Sequence, residues 1–226
     1  MIKSEIAFMI DHTVLGPTTV KSDVERVCEE AQEYGFSAVC IDPVFVSLAS
    51  RLLQESDVSV ATVIGFPHGS HKRESKGFEA QIAVEDGADE LDMVANLSAL
   101  LDKDYHTVAR DISAVTDVAR KSTRDIVVKV ILEMGLLTTE AKRAGCIIAQ
   151  GSGADMVKTS TGFGPSGAEI EDIKLMRELV ADEVGIKAAG GIGNYDQAMA
   201  MIEAGATRIG ASSSVEIVMG APDSSD

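Results

Sequence analysis

The feature that most constrains this chain is the regular alternation of short apolar runs with longer segments of helical periodicity. The apolar runs lie at 11–15, 37–41, 58–64, 89–94, 125–132, 154–158, 185–189 and 207–210. Segments with helical spacing or helix-ending signals lie at 4–10, 20–34, 44–55, 72–86, 104–121, 138–151, 169–182 and 195–203. Alternating strands and helices predict a parallel sheet, and eight such units favour a closed barrel.

We therefore predict one domain over residues 1–226, an α/β fold of the TIM (β/α)8 barrel class with a short N-terminal helix. The chain has 226 residues, of which 45% are apolar, so it is long enough to bury a large core. An open, doubly wound sheet is the alternative, but no Gly-x-Gly-x-x-Gly motif follows the first strand. We expect a flexible tail at 220–226.

The charge balance limits the partners that the protein can have. The formal net charge of −16 disfavours nucleic acid, because no basic patch is present to pair with phosphates. No apolar run approaches the roughly 20 residues of a membrane helix, and the N-terminus lacks a signal-peptide pattern, so we expect a cytoplasmic protein. The three cysteines are widely spaced, and His68 and His71 follow a Gly-Phe-Pro turn. The sequence thus predicts no metal and no cofactor.

The segment Ala154–Gly164 has the most distinctive chemistry. It begins as a short strand, carries Lys158 near the strand's end, and continues into Thr161, Gly162 and Gly164. A lysine among buried strand residues is costly in its charged form, so its pKa falls and the neutral amine becomes a nucleophile toward carbonyls. The glycines that follow allow backbone N–H groups to approach an anion. The sequence therefore suggests a Schiff-base amine beside a phosphate cradle.

Neighbouring strands offer further charges at positions that point into a barrel. Because strand side chains alternate between interior and helix layer, Lys187, Asp92 and Lys129 can all point inward with Lys158. Gly185 and Ala189 flank Lys187 on the same face and leave room for a long side chain. Two ammonium groups held close together disfavour each other's charge, so one of the two lysines is expected to be neutral, and Asp92 is placed to move protons.

Each of these residues also has a structural interpretation. Lys158 taken alone is equally compatible with a lysine that reaches a rim or pairs with a carboxylate. The structural alternative for Asp92 is a role as a buried partner of Lys129. Cys40, on the second strand, is interpreted as a small buried residue.

Glycine-rich loops follow three successive strands. Gly162 follows the sixth, Gly190 and Gly191 follow the seventh, and Gly210, Ser212 and Ser213 follow the eighth. The loops after the seventh and eighth strands of a TIM barrel commonly bind phosphate. We therefore expect a phosphate site there, with the two serines as hydroxyl donors.

Taken together, these motifs resemble the deoxyribose-phosphate aldolases over nearly the whole chain. The segments are Ile10-Asp-His-Thr-Val-Leu15, Ala38-Val-Cys40, Val60-Ala-Thr-Val63, Gly65-Phe-Pro-His-Gly69, Asp89-Glu-Leu-Asp-Met-Val94, Lys129-Val-Ile-Leu-Glu133, Val157-Lys-Thr-Ser-Thr-Gly-Phe163, Lys187-Ala-Ala-Gly-Gly-Ile192 and Gly210-Ala-Ser-Ser213. The resemblance implies a metal-free class I aldolase that joins acetaldehyde and glyceraldehyde 3-phosphate reversibly into 2-deoxyribose 5-phosphate. It also implies a homodimer or homotetramer.

By position, the resemblance makes Lys158 the Schiff-base lysine, Lys187 the lysine that lowers its pKa, and Asp92 the proton-transfer carboxylate. It assigns the phosphate site to Gly162, Gly190, Gly191, Gly210, Ser212 and Ser213. The chain departs from the family pattern in two places. Gly193 stands where an arginine is common, and the tail 222–226 lacks the tyrosine that some members use in proton transfer.

Two rival functions and one question of habitat stay open at this point. A different Schiff-base enzyme of the same fold, such as another sugar-phosphate aldolase or a transaldolase, has the same requirements. A phosphosugar-binding barrel without activity is the second rival. The 36 acidic against 20 basic residues suggest a salt-adapted protein with its excess carboxylates on the outer helices, and an ordinary acidic enzyme is the alternative.

Overall fold

The computed structural model describes residues 1–223, and in it eight parallel strands close into a barrel in sequence order. The predicted TIM (β/α)8 fold is thereby confirmed, and the open sheet is excluded. The strands are β1 Ile10–Val14, β2 Ala38–Ile41, β3 Ser59–Ile64, β4 Glu90–Val94, β5 Val127–Ile131, β6 Met156–Lys158, β7 Gly185–Ala189 and β8 Arg208–Ala211. Each strand lies within or one residue beyond a predicted apolar run.

Helices connect the strands and cover the outside of the barrel. They are α1 Lys3–Ala7, α2 Lys21–Tyr34, α3 Val46–Leu52, α4 Arg73–Glu85, α5 Leu97–Leu101, α6 Tyr105–Lys121, α7 Thr139–Gly151, α8 Ile170–Leu179, α9 Tyr195–Glu203 and α10 Ser214–Met219. Two single 3-10 turns, Pro43–Phe45 and Met134–Leu136, add to these. The short helices α5 and α10 were not predicted, because five or six residues are too few to show a helical period.

Several predicted helix boundaries were wrong, among them the end of the helix predicted over 169–182, which stops at Leu179, and two of the errors have local reasons. The first helix ends at Ala7, since Ile10 already belongs to β1, where it pairs with Ile209 of β8. The segment predicted as a helix over 44–55 starts as a 3-10 turn at Pro43 and becomes α-helical only from Val46 to Leu52. Proline favours the first turn of a helix, which explains why that helix starts one residue earlier than predicted.

Two apolar clusters fill the molecule. The larger one lies between the strands and the surrounding helices, as helix-facing strand residues such as Val39, Ile186 and Ile209 show. The smaller one contains Ala38, Cys40, Ala61 and Val63 from β2 and β3. The interior faces of the other strands carry charged side chains. The barrel interior is therefore apolar at β2 and β3 and charged elsewhere.

The two ends of the described chain meet. The Lys3 backbone N–H donates to the Pro222 carbonyl at 3.1 Å, and the Lys3 ammonium lies 2.6 Å from Asp223. Of the predicted flexible tail, residues 224–226 lie outside the described residues. Within the part that the structure describes, no helix is long and apolar enough to cross a membrane.

Candidate active site

A cluster of seven charged side chains lies inside the barrel. Three are carboxylates and four are cations, and they come from six of the eight strands: Asp11, Glu90, Asp92, Lys129, Lys158, Lys187 and Arg208. Strand register brings them to matching heights, since Lys129 pairs with Asp92, and Lys187 pairs with both Lys158 and Arg208. We call this set the interior cluster.

Lys158 links the interior cluster to the outside. Its side chain is 3% exposed and borders a cavity of about 480 Å³ at the carboxyl ends of the strands. Its Nζ donates a 2.8 Å hydrogen bond to Asp92 Oδ2. Burial lowers the pKa of Lys158, and the positive charge of Lys187 lowers it further against the opposing effect of Asp92. Lys158 therefore borders the cavity and loses its proton more readily than an ordinary lysine does.

Asp92 is shared by three lysines. Its Oδ1 accepts from Lys129 at 2.8 Å, and its Oδ2 accepts from Lys158 at 2.8 Å and from Lys187 at 2.7 Å. Burial alone would raise its pKa, but the three positive charges hold the pKa of Asp92 well below its usual range. The pairing with Lys129 is thus real, and it coexists with the contacts to the other two lysines.

Lys187 is held in its charged form. Burial alone would lower its pKa, yet the carboxylates of Asp11 and Asp92 outweigh burial and raise the pKa of Lys187. Gly210 makes room for this side chain, because a Cβ at that position would lie 2.9 Å from Lys187 Cε. Lys187 and Asp92 are fully buried, so only Lys158 of the three borders the cavity.

Sequence reasoning did not single out Glu90, Arg208 or Asp11 of the interior cluster, and of these three Asp11 has the most ion-pair partners. It is fully buried, contacts Lys187 closely, and accepts from Lys129 at 3.0 Å and from Arg208 at 2.6 Å. The alternation of side chains along β1 could have identified Asp11, because an aspartate that points into a barrel needs cationic partners.

The cavity is lined by the loops that follow β1, β6, β7 and β8. All six predicted phosphate residues line it: Gly162, Gly190, Gly191, Gly210, Ser212 and Ser213. Gly162, Gly190 and Gly191 adopt φ values of +87°, +91° and +77°, a region that L side chains rarely occupy. Within residues 1–223, no protein acceptor takes the backbone N–H groups of Gly162, Gly190, Gly191, Ser212 or Ser213. The residues that carry these donors line the cavity, and unpaired backbone N–H groups suit an anion.

The loop after β6 is anchored from β5. Thr161 donates both its backbone N–H, at 3.2 Å, and its hydroxyl to the buried Glu133 carboxylate. The Thr161 hydroxyl oxygen in turn accepts from the Phe163 N–H at 3.0 Å. The N–H groups on either side of Gly162 are therefore occupied, and the Gly162 N–H is left free to meet a ligand.

Gly193 and Phe163 lie at the rim of the cavity. The N–H of Gly193 donates to Gln197 at 2.8 Å and so does not face an anion. Phe163 is 54% exposed and packs edge-on against Phe66, with ring centroids 5.4 Å apart. The rim on this side is therefore apolar.

The described residues provide neither a reactive cysteine at Cys40 nor a metal site. Cys40 is fully buried with its Sγ 4.0 Å from Asp92 Oδ2, and burial raises the pKa of its thiol, which favours the neutral thiol. In the described residues, no group of three or more His, Cys, Asp or Glu side chains is placed to hold a metal ion.

Comparison with known proteins identifies the family. The DeoC/LacD family aldolase pattern matches residues 5–221. Deoxyribose-phosphate aldolase 1 of Bacillus licheniformis is 56% identical over 216 residues, which cover 96% of both chains. The deoxyribose-phosphate aldolase of Thermococcus kodakarensis is 56% identical and covers 99% of this chain and 100% of its own. The deoxyribose phosphate aldolase structure from Aeropyrum pernix, described as tetrameric, superposes with a TM-score of 0.89 at 35% identity, covering 96% and 91% of the two chains.

The motifs lie between Ile10 and Ser213, and the family match covers this whole stretch, so the resemblance is confirmed. The chain belongs to the DeoC/LacD family of aldolases.

Proposed function

We propose that Lys158 is the Schiff-base lysine through which this protein performs the reaction of a deoxyribose-phosphate aldolase. The enzyme is a lyase that reversibly cleaves 2-deoxy-D-ribose 5-phosphate to acetaldehyde and D-glyceraldehyde 3-phosphate. The observation that carries the residue assignment is that Lys158 is the one cation of the interior cluster that borders the cavity. A lowered pKa and an open approach are what a nucleophilic amine needs.

The chemistry starts at the Lys158 Nζ. The neutral amine attacks C1 of the open-chain sugar, and loss of water from the carbinolamine leaves a protonated imine. The imine withdraws electrons while the C3 hydroxyl loses its proton, so the C2–C3 bond breaks and glyceraldehyde 3-phosphate departs. The enamine that remains is protonated at C2, and hydrolysis releases acetaldehyde and regenerates the amine.

Proton transfer falls to Asp92 and Lys187. The Asp92 carboxylate lies within 2.8 Å of the Lys158 Nζ and within 2.7 Å of the Lys187 Nζ, so it links the two amines. Since its pKa is held low, Asp92 is an acceptor in the resting enzyme, and the charged Lys187 is the neighbouring donor that can return a proton. Lys187 also tunes the pKa of Lys158 through its like charge.

Phosphate anchoring falls to the free backbone donors of the cavity. The N–H groups of Gly162, Gly190 and Gly191, with Ser212 and Ser213 after β8, surround one region of the cavity. Without the family arginine at Gly193, this region relies on backbone dipoles and hydroxyls for its positive potential.

Borohydride trapping tests the assignment and separates the rival functions. Reduction in the presence of deoxyribose 5-phosphate is expected to leave a stable adduct on the peptide that contains Lys158, as found by mass spectrometry. In Lys158→Met, an apolar side chain of similar length replaces the amine, so the adduct should vanish and turnover should fall by about a thousandfold or more. Lys174→Met, at an exposed position on α8, is the matched control and should trap normally.

The outcomes discriminate as follows. A phosphosugar-binding barrel without activity yields no adduct with the native protein. Another Schiff-base aldolase or a transaldolase yields the Lys158 adduct but prefers a different sugar phosphate in a substrate screen. Turnover of Lys158→Met within tenfold of the native enzyme would contradict the assignment.

We also propose that the enzyme is a homodimer or homotetramer of the cytoplasm that takes part in deoxyribose phosphate catabolism. The tetrameric description of the Aeropyrum pernix relative supports an oligomer. The exposed apolar side chains Phe78 and Ile82, one turn apart on α4, also support it. Light scattering of the purified protein that gives the mass of a single chain would contradict this part of the proposal.

A further inference from the structure

The interior cluster has unequal numbers of positive and negative groups. Its cations are Lys129, Lys158, Lys187 and Arg208, and its carboxylates are Asp11, Glu90 and Asp92. With every group ionised the cluster carries one surplus positive charge. Uncompensated charge in a buried site is costly, and deprotonation of one lysine removes the surplus.

The number of carboxylate contacts identifies the lysine that gives up its proton most easily. Lys129 contacts three carboxylates, Asp11, Glu90 and Asp92. Lys187 contacts two, Asp11 and Asp92. Lys158 contacts Asp92 alone. The surplus charge therefore leaves from Lys158, which is also the lysine next to the cavity.

Glu90 and Arg208 contribute to this balance from a distance. They are the first residues of β4 and β8, at the amino-terminal end of the barrel, and neither lines the cavity. Arg208 Nη1 donates to Glu90 Oε1 at 3.3 Å and to Asp11 Oδ1 at 2.6 Å, and Glu90 contacts Lys129 closely. Two chains of contacts thus lead from these residues to Asp92, the carboxylate that Lys158 contacts. One passes through Lys129, and the other passes through Asp11 and Lys187.

The remaining groups around Lys158 do not upset the count. Cys40 on β2 is the one further titratable side chain among the inward residues described for β2 and β3, and burial favours its neutral thiol. Glu133, beyond the end of β5, accepts from Thr161, and within residues 1–223 it forms no ion pair with a cation of the interior cluster. The ion-paired charge around Lys158 is therefore that of the seven members of the interior cluster.

We propose that Glu90 and Arg208 are positioning residues that act from the amino-terminal end of the barrel to set the charge balance of the interior cluster, and thereby the protonation of Lys158. The inference rests on the proposed role of Lys158 as the Schiff-base lysine. It assigns a function in the chemistry to two residues that touch neither substrate nor the reacting atoms.

The proposal predicts opposite effects for the two residues. Glu90→Gln removes a negative charge, so the cluster becomes more positive, neutral Lys158 is favoured, and the pH midpoint of borohydride trapping moves down. Arg208→Met removes a positive charge, so the surplus disappears and the midpoint moves up. At a pH below the native midpoint, the trapping rates of the two variants should differ from the native rate in opposite directions, by about threefold or more.

Three further variants separate charge from architecture. The double variant Glu90→Gln/Arg208→Met restores the native charge sum, so its midpoint should return toward the native value. Arg208→Lys keeps the charge and should keep the midpoint. Asp111→Asn removes a carboxylate that is buried against Lys76 on the helix layer, with its Oδ2 2.7 Å from the lysine Nζ, and should leave the midpoint unchanged.

The experiment measures the trapping rate with deoxyribose 5-phosphate against pH for folded variants, verified by circular dichroism. Midpoints that stay at the native value, or that move in the same direction in both variants, would overturn the proposal. If Arg208→Met does not fold, Arg208→Gln replaces it. The direction in which Glu90→Gln moves the pH midpoint of trapping then decides whether the proposal holds. Absence of any Lys158 adduct in the native protein would instead contradict the proposed function itself.

Discussion

At the scale of single residues, the chemistry of Lys158 depends on which carboxylates its neighbours have already engaged. Asp11 accepts from Lys129, Lys187 and Arg208. Lys129 and Lys187 also donate to Asp92, the carboxylate that Lys158 contacts. Lys158 is left with one shared oxygen, so its ammonium form gains little. An amine is thus made reactive by competition for a limited number of anions as well as by burial.

The variant Lys187→Leu tests whether the positive charge of Lys187 lowers the pKa of Lys158. Removal of this positive charge raises the pKa of Lys158, so a smaller fraction of Lys158 is neutral at pH 7 and the trapping profile is expected to move to higher pH. Lys187→Arg keeps the charge and is the matched control. An unchanged profile in Lys187→Leu would mean that burial alone sets the pKa of Lys158.

Sequence reasoning reached Lys158, Asp92 and Lys187 because each is a charged residue at an inward strand position, where ionised side chains are rare. It missed the importance of Asp11, because the partners of this carboxylate come within reach only when the barrel closes and β1 pairs with β8. The sharing of Asp92 among three lysines was likewise beyond a one-dimensional pattern, because it depends on side-chain reach across β4 to β7.

At the scale of elements, the loop between β6 and α8 is shaped by the end of β5. Glu133 has a φ of +49°, an unusual conformation for a residue with a side chain, and its carboxylate engages Thr161. Gly164 packs against that carboxylate, since a Cβ there would lie 2.7 Å from Glu133 Oε1. Backbone strain of this kind persists where surrounding contacts fix it, here beside the free N–H of Gly162.

Thr161→Val tests this loop. Loss of the hydroxyl removes one of the two bonds from Thr161 to Glu133 and also the acceptor for the Phe163 N–H, so the loop loosens and the cradle for phosphate loses its shape. We expect the KM for deoxyribose 5-phosphate to rise about tenfold, the equivalent of about 1.4 kcal/mol, with a much smaller effect on unphosphorylated deoxyribose. Thr161→Ser retains the hydroxyl and is the control.

Steady-state kinetics on both sugars would check this result. An equal loss on the two sugars would contradict a role of the loop in phosphate binding and indicate a general disturbance of Lys158 instead.

The elements themselves were predictable to different degrees. Strands such as β5 and β7 were located because each is a continuous run of apolar, mostly β-branched or small residues bounded by turn signals. The helix α10 was missed, since its six residues form a helix through contacts with α1, β1 and α9 rather than through their own pattern.

At the scale of the whole molecule, most of the negative charge lies outside the barrel, whose interior cluster has a surplus of cations. The buried carboxylates of residues 1–223 are Asp11, Glu90, Asp92, Asp111, Glu133 and Asp172. The other described acidic side chains are half-buried or exposed, while the barrel interior holds a surplus of cations. A net charge of −16 is thus carried mainly by the surface.

The surface charge predicts a response to salt. At low ionic strength the exposed carboxylates repel one another and oppose the folded state. The Debye length shrinks from about 10 Å at 0.1 M to about 3 Å at 1 M, so molar salt screens that repulsion. If the protein is salt-adapted, its melting temperature should climb steadily as KCl rises from tens of millimolar to molar.

Thermal unfolding in a KCl series, with a matched sucrose series as the control for non-ionic solutes, measures this effect. A melting temperature that is flat or falls with KCl would identify an ordinary acidic enzyme and would leave the aldolase assignment untouched.

The aromatic pair at the rim, Phe163 against Phe66, makes an optical measurement possible. The chain contains no tryptophan, so Phe163→Trp would introduce a single indole at the entrance of the cavity. Because the side chain at this position is 54% exposed, a ligand that enters the cavity would change the solvent around the indole and thus its fluorescence. Combined with Lys158→Met, this reporter would give the affinity for the sugar phosphate in a protein that cannot turn it over.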